Sequence, residues 1–178
     1  MNYRREFLNV VAASAVVAPL ASKLSLSLLA ADPPPMMIDT HQHLWDLERQ
    51  KLPWLSGAPD ILKRTYHLME YREATQGLSI KAIYMEVAVD GSQLNQEAEH
   101  VISLSRNPST PTIAAVIGCR PESSLFADYI TKFKSVSEVK GARRVLHEAE
   151  TPAGFCLQPE FVKSVQKLGE LGRSFDLC

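Results

Sequence analysis

The sequence has no glycine-rich Gly-x-Gly-x-x-Gly turn and no Gly-Lys-Ser/Thr, which argues against a dinucleotide-binding sheet and a P-loop. Its three cysteines, Cys119, Cys156 and Cys178, are odd in number and widely spaced. They form neither a disulfide framework nor a Cys-x-x-Cys metal clip, and read as buried or incidental thiols. Charge of one sign is also missing, because 19 basic and 20 acidic residues are scattered along the chain for a net charge of -1. Without a basic stripe to follow a phosphate backbone, nucleic acid is excluded as a partner. What remains is a chain of 178 residues, 46% hydrophobic and 22% charged, the composition of a globular protein with one sizeable core.

The first 31 residues read as a separate object. Met1 to Asn9 is polar and basic, Val10 to Ala21 is apolar apart from Ser14, and Ala30-Ala31 precedes Asp32-Pro33-Pro34-Pro35. This is the layout of an export signal. Arg4-Arg5-Glu6-Phe7-Leu8 is similar to the twin-arginine pattern of proteins that leave the bacterial cytoplasm folded. The apolar run is interrupted by Lys23, short of the roughly 20 residues of a spanning helix. The expectation is export to the periplasm, with a mature chain starting near Ala31 or Asp32 and membrane contact only through the leader.

Beyond the leader, five apolar or β-branched runs at 37–41, 80–89, 112–119, 139–146 and 174–178 read as strands. Between them lie helical patterns: one around 68–75, one from Leu94 to Arg106 ended by Asn107-Pro108, one through Leu125, Phe126, Tyr129, Ile130 and Phe133, and one through Phe161, Val162, Val165, Leu168 and Leu171. The last has Pro159 at its start and Gly172 past its end. Alternating strands and helices require parallel strands with crossover helices, so the class is α/β. An open sheet and a closed barrel both satisfy that order, and the His-x-His after the first strand favours the barrel. The long segment 45–75 would lie over the active face, where Trp45 and Trp54 either shape a pocket or pack the loop down.

Side chains of a strand alternate, so Met37, Asp39, His41 and His43 are expected on one face and Ile38, Thr40 and Gln42 on the other. Both imidazoles then converge, and two neutral imidazoles on a rigid strand end are suitable ligands for one Zn²⁺. Arg143, Val145 and His147 share a face of the fourth strand. There Arg143 and His147 would look into the mouth and bind an anionic substrate or an oxyanion, unless Arg143 or Arg144 pairs with an acid such as Glu148. Glu86, late in the second strand, would contact substrate, support a ligand, or form an ion pair.

At these residues the chain resembles the amidohydrolase superfamily. Ile38-Asp39-Thr40-His41-Gln42-His43-Leu44-Trp45-Asp46 is similar to its lactonase-related branch, which includes fuconolactonase-like enzymes and 2-pyrone-4,6-dicarboxylate lactonases. Residues 80–87 resemble the second strand of that branch and 139–146 the fourth. The resemblance, covering 36–178, implies a TIM-type (β/α)₈ barrel of which this chain holds the N-terminal portion, about four and a half β/α units.

It also implies hydrolysis of a sugar-derived or dicarboxylate lactone, with a divalent metal, zinc first, on His41 and His43, although the branch has metal-independent members. A later-strand histidine and a strand-eight aspartate, the expected catalytic group, have no counterpart before Cys178, so the chain reads as C-terminally truncated. Metal-dependent decarboxylation by the complete protein, and a catalytically silent fragment, are the alternative readings.

Overall fold

The computed structural model describes residues 35–147 and 151–178. The export-signal reading, and Glu148, lie outside them.

Five strands, β1 (Met37–Gln42), β2 (Ile80–Met85), β3 (Thr112–Gly118), β4 (Val139–Arg144) and β5 (Ser174–Leu177), form one sheet in the order β1-β2-β3-β4-β5. Every adjacent pair is parallel. The crossovers carry α1 (Leu68–Ala74), α2 (Leu94–Arg106), α3 (Phe126–Thr131) and α4 (Pro159–Glu170). Strands that follow one another in space as in sequence, each pair bridged by a helix, make the N-terminal part of a (β/α)₈ barrel. Among the described residues β1 and β5 each have one strand neighbour.

The core lies where the helices cover the sheet. Tyr84 from β2, Ala115 and Ile117 from β3 and Val139 and Ala142 from β4 join Ala98 and Val101 of α2, Phe126 and Ile130 of α3 and Leu168 of α4. These residues are the apolar positions that gave each element its period, which is why the runs read as they do. By contrast the strand residues Ile38, Ile113 and Leu177 stay exposed.

Four of the elements differ from expectation in ways that matter. β2 ends at Met85 and not at Val89, because Glu86 turns its side chain back to accept from the Ala88 amide and Ala88 adopts a left-handed φ of 50°. β4 ends at Arg144, although the Leu146 amide still donates to the Cys178 carbonyl. Helical bonding in α3 stops at Thr131, and a turn carries Phe133 into the core against Tyr129, their rings 5.3 Å apart.

The fourth difference concerns β1. Its register with β2 shifts between Asp39 and Gln42, so three steps along β1 oppose two along β2, from Ala82 to Tyr84. Regular alternation is therefore broken. Asp39 accepts from the Tyr71 hydroxyl of α1 and from the His41 amide, both at 2.9 Å. Its carboxylate is taken up by α1 and by the backbone of its own strand.

Candidate active site

The C-terminal ends of parallel strands lie on one edge of the sheet, where barrels of this kind build their chemistry. At that edge β1 contributes His41 and, just beyond it, His43; β2 leads into Glu86; β4 carries Arg143; and β5 leads into Cys178. The structure brings four of the five residues expected from sequence into direct or neighbouring contact. His147 joins them through Cys178.

The imidazoles of His41 and His43 meet edge to face with centroids 4.8 Å apart. His43 Nδ1 lies 2.9 Å from the Met85 carbonyl oxygen. A carbonyl only accepts, so Nδ1 carries the proton and Nε2 keeps its lone pair. Burial, opposed by this bond and reinforced by the positive charges of His41 and Arg143, holds the His43 pKa below its usual value. His43 is thus a neutral imidazole aimed by the end of β2. His41 is more exposed, and its Nε2 stands 3.5 Å from Arg143 Nη1.

Arg143 is the centre of the cluster. Its Nε is 3.5 Å from Glu86 Oε1 and its Nη2 is 3.1 Å from Cys178 Sγ. Of the two sequence readings, the ion pair of Arg143 is therefore formed, with Glu86, while Arg144 pairs with Glu122 at 3.1 Å. Glu86 itself is buried, only 2% exposed, and reaches the mouth through Arg143. A guanidinium held at one end by a buried carboxylate keeps its other donors for an anion. His147 is exposed at the rim, its Nδ1 3.6 Å from Cys178 Sγ.

Sequence reasoning passed over Cys178, Glu97 and Gly118. Cys119 is buried as expected, whereas Cys178 is an exposed thiol between Arg143 and His147. Glu97 of α2 accepts from the Val87 amide at 2.9 Å and from the Tyr84 hydroxyl at 3.0 Å. A signal for it existed, since an acid at the buried positions 94, 97, 98 and 101 breaks the apolar face of α2.

The tryptophans pack the loop. Trp54 Nε1 donates to the Val87 carbonyl and Trp45 Nε1 to the Arg64 carbonyl, and their rings meet edge to face at 5.9 Å. Trp45 also borders a groove of about 610 Å³ with Arg49, His67 and His100. None of the histidine–arginine cluster lines that groove, so size and chemistry point to different places, and the candidate site is taken from the chemistry.

For a divalent ion, His41 and His43 offer two nitrogen donors. The described residues contain no group of three or more His, Cys, Asp or Glu that would hold one. Two nitrogen donors by themselves fall short of the four ligands of a typical zinc site.

The parallel β/α half-barrel with His-x-His at the end of its first strand and an arginine facing it is similar to solved amidohydrolase-type barrels. The amidohydrolase 2 of Bifidobacterium longum subsp. infantis matches over 80% of this chain at 26% identity and a TM-score of 0.55. A probable 2-pyrone-4,6-dicarboxylic acid hydrolase from Acinetobacter baumannii, solved with citric acid bound, matches over 79% at 15% identity and a TM-score of 0.56, and shows the fold alone. The chain spans about half of each, 51% and 48% respectively. No protein-family model and no curated protein matches. The amidohydrolase-related resemblance read from the sequence is borne out by the first of these neighbours.

Proposed function

We propose that these residues form the N-terminal half of a hydrolase site that opens an anionic lactone, sugar-derived or dicarboxylate, in the complete protein. The observation that supports this best is the pairing of an aimed, neutral His43 with a guanidinium that faces His41 from β4. His41 and His43 would hold a divalent ion, zinc first, whose chemistry when bound is to polarise a carbonyl and lower the pKa of water. Met85 fixes the tautomer that leaves Nε2 of His43 available. Arg143, braced by Glu86, would bind the substrate carboxylate or the oxyanion formed as the carbonyl is attacked. His147 would add a donor at the rim. A small-molecule substrate is the partner this chemistry needs, and export through the leader would place the reaction in the periplasm.

The test is metal analysis and hydrolysis of a panel of lactones by the full-length protein, with His41→Ala, His43→Ala and Arg143→Met. Loss of metal in the histidine variants and a raised KM for carboxylated lactones in the arginine variant are expected. Unchanged metal content and unchanged kinetics in all three would refute the assigned roles.

A further inference from the structure

Glu86 and Glu97 come from different elements, one following β2 and the other in the first turn of α2, and both are buried. They share out the backbone of the turn between them. Glu97 Oε1 takes the Val87 amide and Glu86 Oε2 takes the Ala88 amide. Two oxygens, Glu86 Oε1 and Glu97 Oε2, have no hydrogen-bond partner among the described residues. The former faces Arg143. The latter faces Gly118, and a Cβ on that glycine would stand 3.2 Å from Oε2 of Glu97 and 3.2 Å from Oε2 of Glu86. Two carboxyl groups thus converge on the space that residue 118 leaves by having no side chain.

Two carboxylates buried side by side repel each other and are poorly solvated, so one proton held by the pair is the favourable state. The surroundings decide which member carries it. Glu86 has a guanidinium on its free oxygen, whereas the strongest charge acting on Glu97 is that of Glu86. The other groups around the pair are Tyr84 on β2, Cys119 and Arg120 after β3, Arg143 and Arg144 on β4 and Tyr129 on α3, with Glu122 of the loop after β3 acting on Cys119. Burial pushes the Tyr84, Cys119 and Tyr129 ionisations up, so these three stay neutral in the physiological range. The arginines favour ionisation of the pair: Arg143, Arg120 and Arg144 act on Glu86, whereas only Arg120 among them acts on Glu97.

We propose that Glu97 is a positioning residue that holds the single proton of this pair on its Oε2, leaving Glu86 as the one buried carboxylate that balances Arg143. Burial and the Glu86 charge raise Glu97 to about 7, and burial raises Glu86 as well. The consequence rests on the hydrolase reading above. With the proton in place the charges of Glu86 and Arg143 cancel, and the guanidinium donors receive an anion. Once it is lost, the three groups carry a net negative charge beneath the mouth and oppose the same anion.

The experiment is infrared spectroscopy of the full chain, which reads the carbonyl band of a protonated carboxylic acid and needs no turnover. The wild type is compared with Glu97→Gln and Glu86→Gln at about pH 6 and about pH 8, at both of which an ordinary glutamate is already ionised. A carboxylic-acid band at the lower pH, diminished at the higher, absent in Glu97→Gln and titrating at lower pH in Glu86→Gln, is the expected result. No such band in the wild type at the lower pH overturns the proposal, and so does a band that survives in Glu97→Gln. Failure of lactone hydrolysis would leave this spectrum unaltered, so the two readings fall separately.

Discussion

Replacing Gly118 by alanine tests how tightly the two glutamates pack against residue 118. The added methyl would stand 2.9 Å from Leu94 Cδ2 and 3.2 Å from each carboxylate oxygen, inside the roughly 3.5–4.0 Å at which non-bonded carbon atoms normally rest. Leu94 can turn its methyl aside. The carboxylates cannot retreat as easily, since each holds a backbone amide of the turn after β2. Overpacking of this kind costs about 1–3 kcal/mol, against a gain of about 0.4–1 kcal/mol from a stiffer unfolded chain, for a net loss of about 1–2 kcal/mol.

Urea unfolding followed by circular dichroism should therefore show a midpoint lowered by roughly 0.5–1 M at an m-value of about 2 kcal/mol/M. Gly169→Ala is the control, because nothing lies within 4 Å of its Cβ position in α4; it should gain about 0.5–1 kcal/mol from helix propensity. If Gly118→Ala were as stable as the wild type or more so, the packed carboxyl pair would be refuted.

Three further outcomes follow from the same geometry. Trp54→Phe removes the indole donor from the Val87 carbonyl and should cost about 1–2 kcal/mol in urea unfolding, as one part-buried carbonyl loses its partner. Because the pKa of Glu97 is raised in the folded state to about 7, the folded chain binds the extra proton, and stability falls as pH rises from the ordinary glutamate range through about 7. Thermal midpoints measured across that window should decline in the wild type and flatten in Glu97→Gln. Finally, exposed Ile38, Ile113 and Leu177, with β1 and β5 each lacking a second neighbour among the described residues, predict self-association. Sedimentation velocity should show species larger than the monomer, together with binding of an apolar dye.

The strands were legible because buried parallel strands leave near-continuous apolar runs, and the bounds of α2 at Leu94 and Arg106 coincide with those read from its pattern. His41, His43 and Arg143 were legible as residue types unusual at strand ends. What period alone could not supply was the break in β1: the register shift after Asp39 arises from pairing with β2 and from the Tyr71 hydroxyl, which belongs to a helix more than thirty positions away. The end of β2 was hidden for a similar reason. Val87 and Val89 look like strand residues, and it is the buried carboxylates of Glu86 and Glu97 that bend the backbone there. Gly118 gave no sign, since its small size is required by side chains from two other elements.

The partner of His43 is a main-chain carbonyl, that of Met85. Any residue at position 85 presents the same oxygen, so drift in sequence at that site cannot erase the anchor. Orientation of the imidazole is inherited from the barrel itself. Descendants of such a half-barrel could therefore exchange the groups around the histidine, and with them the substrate, while the ring remained aimed at the same spot.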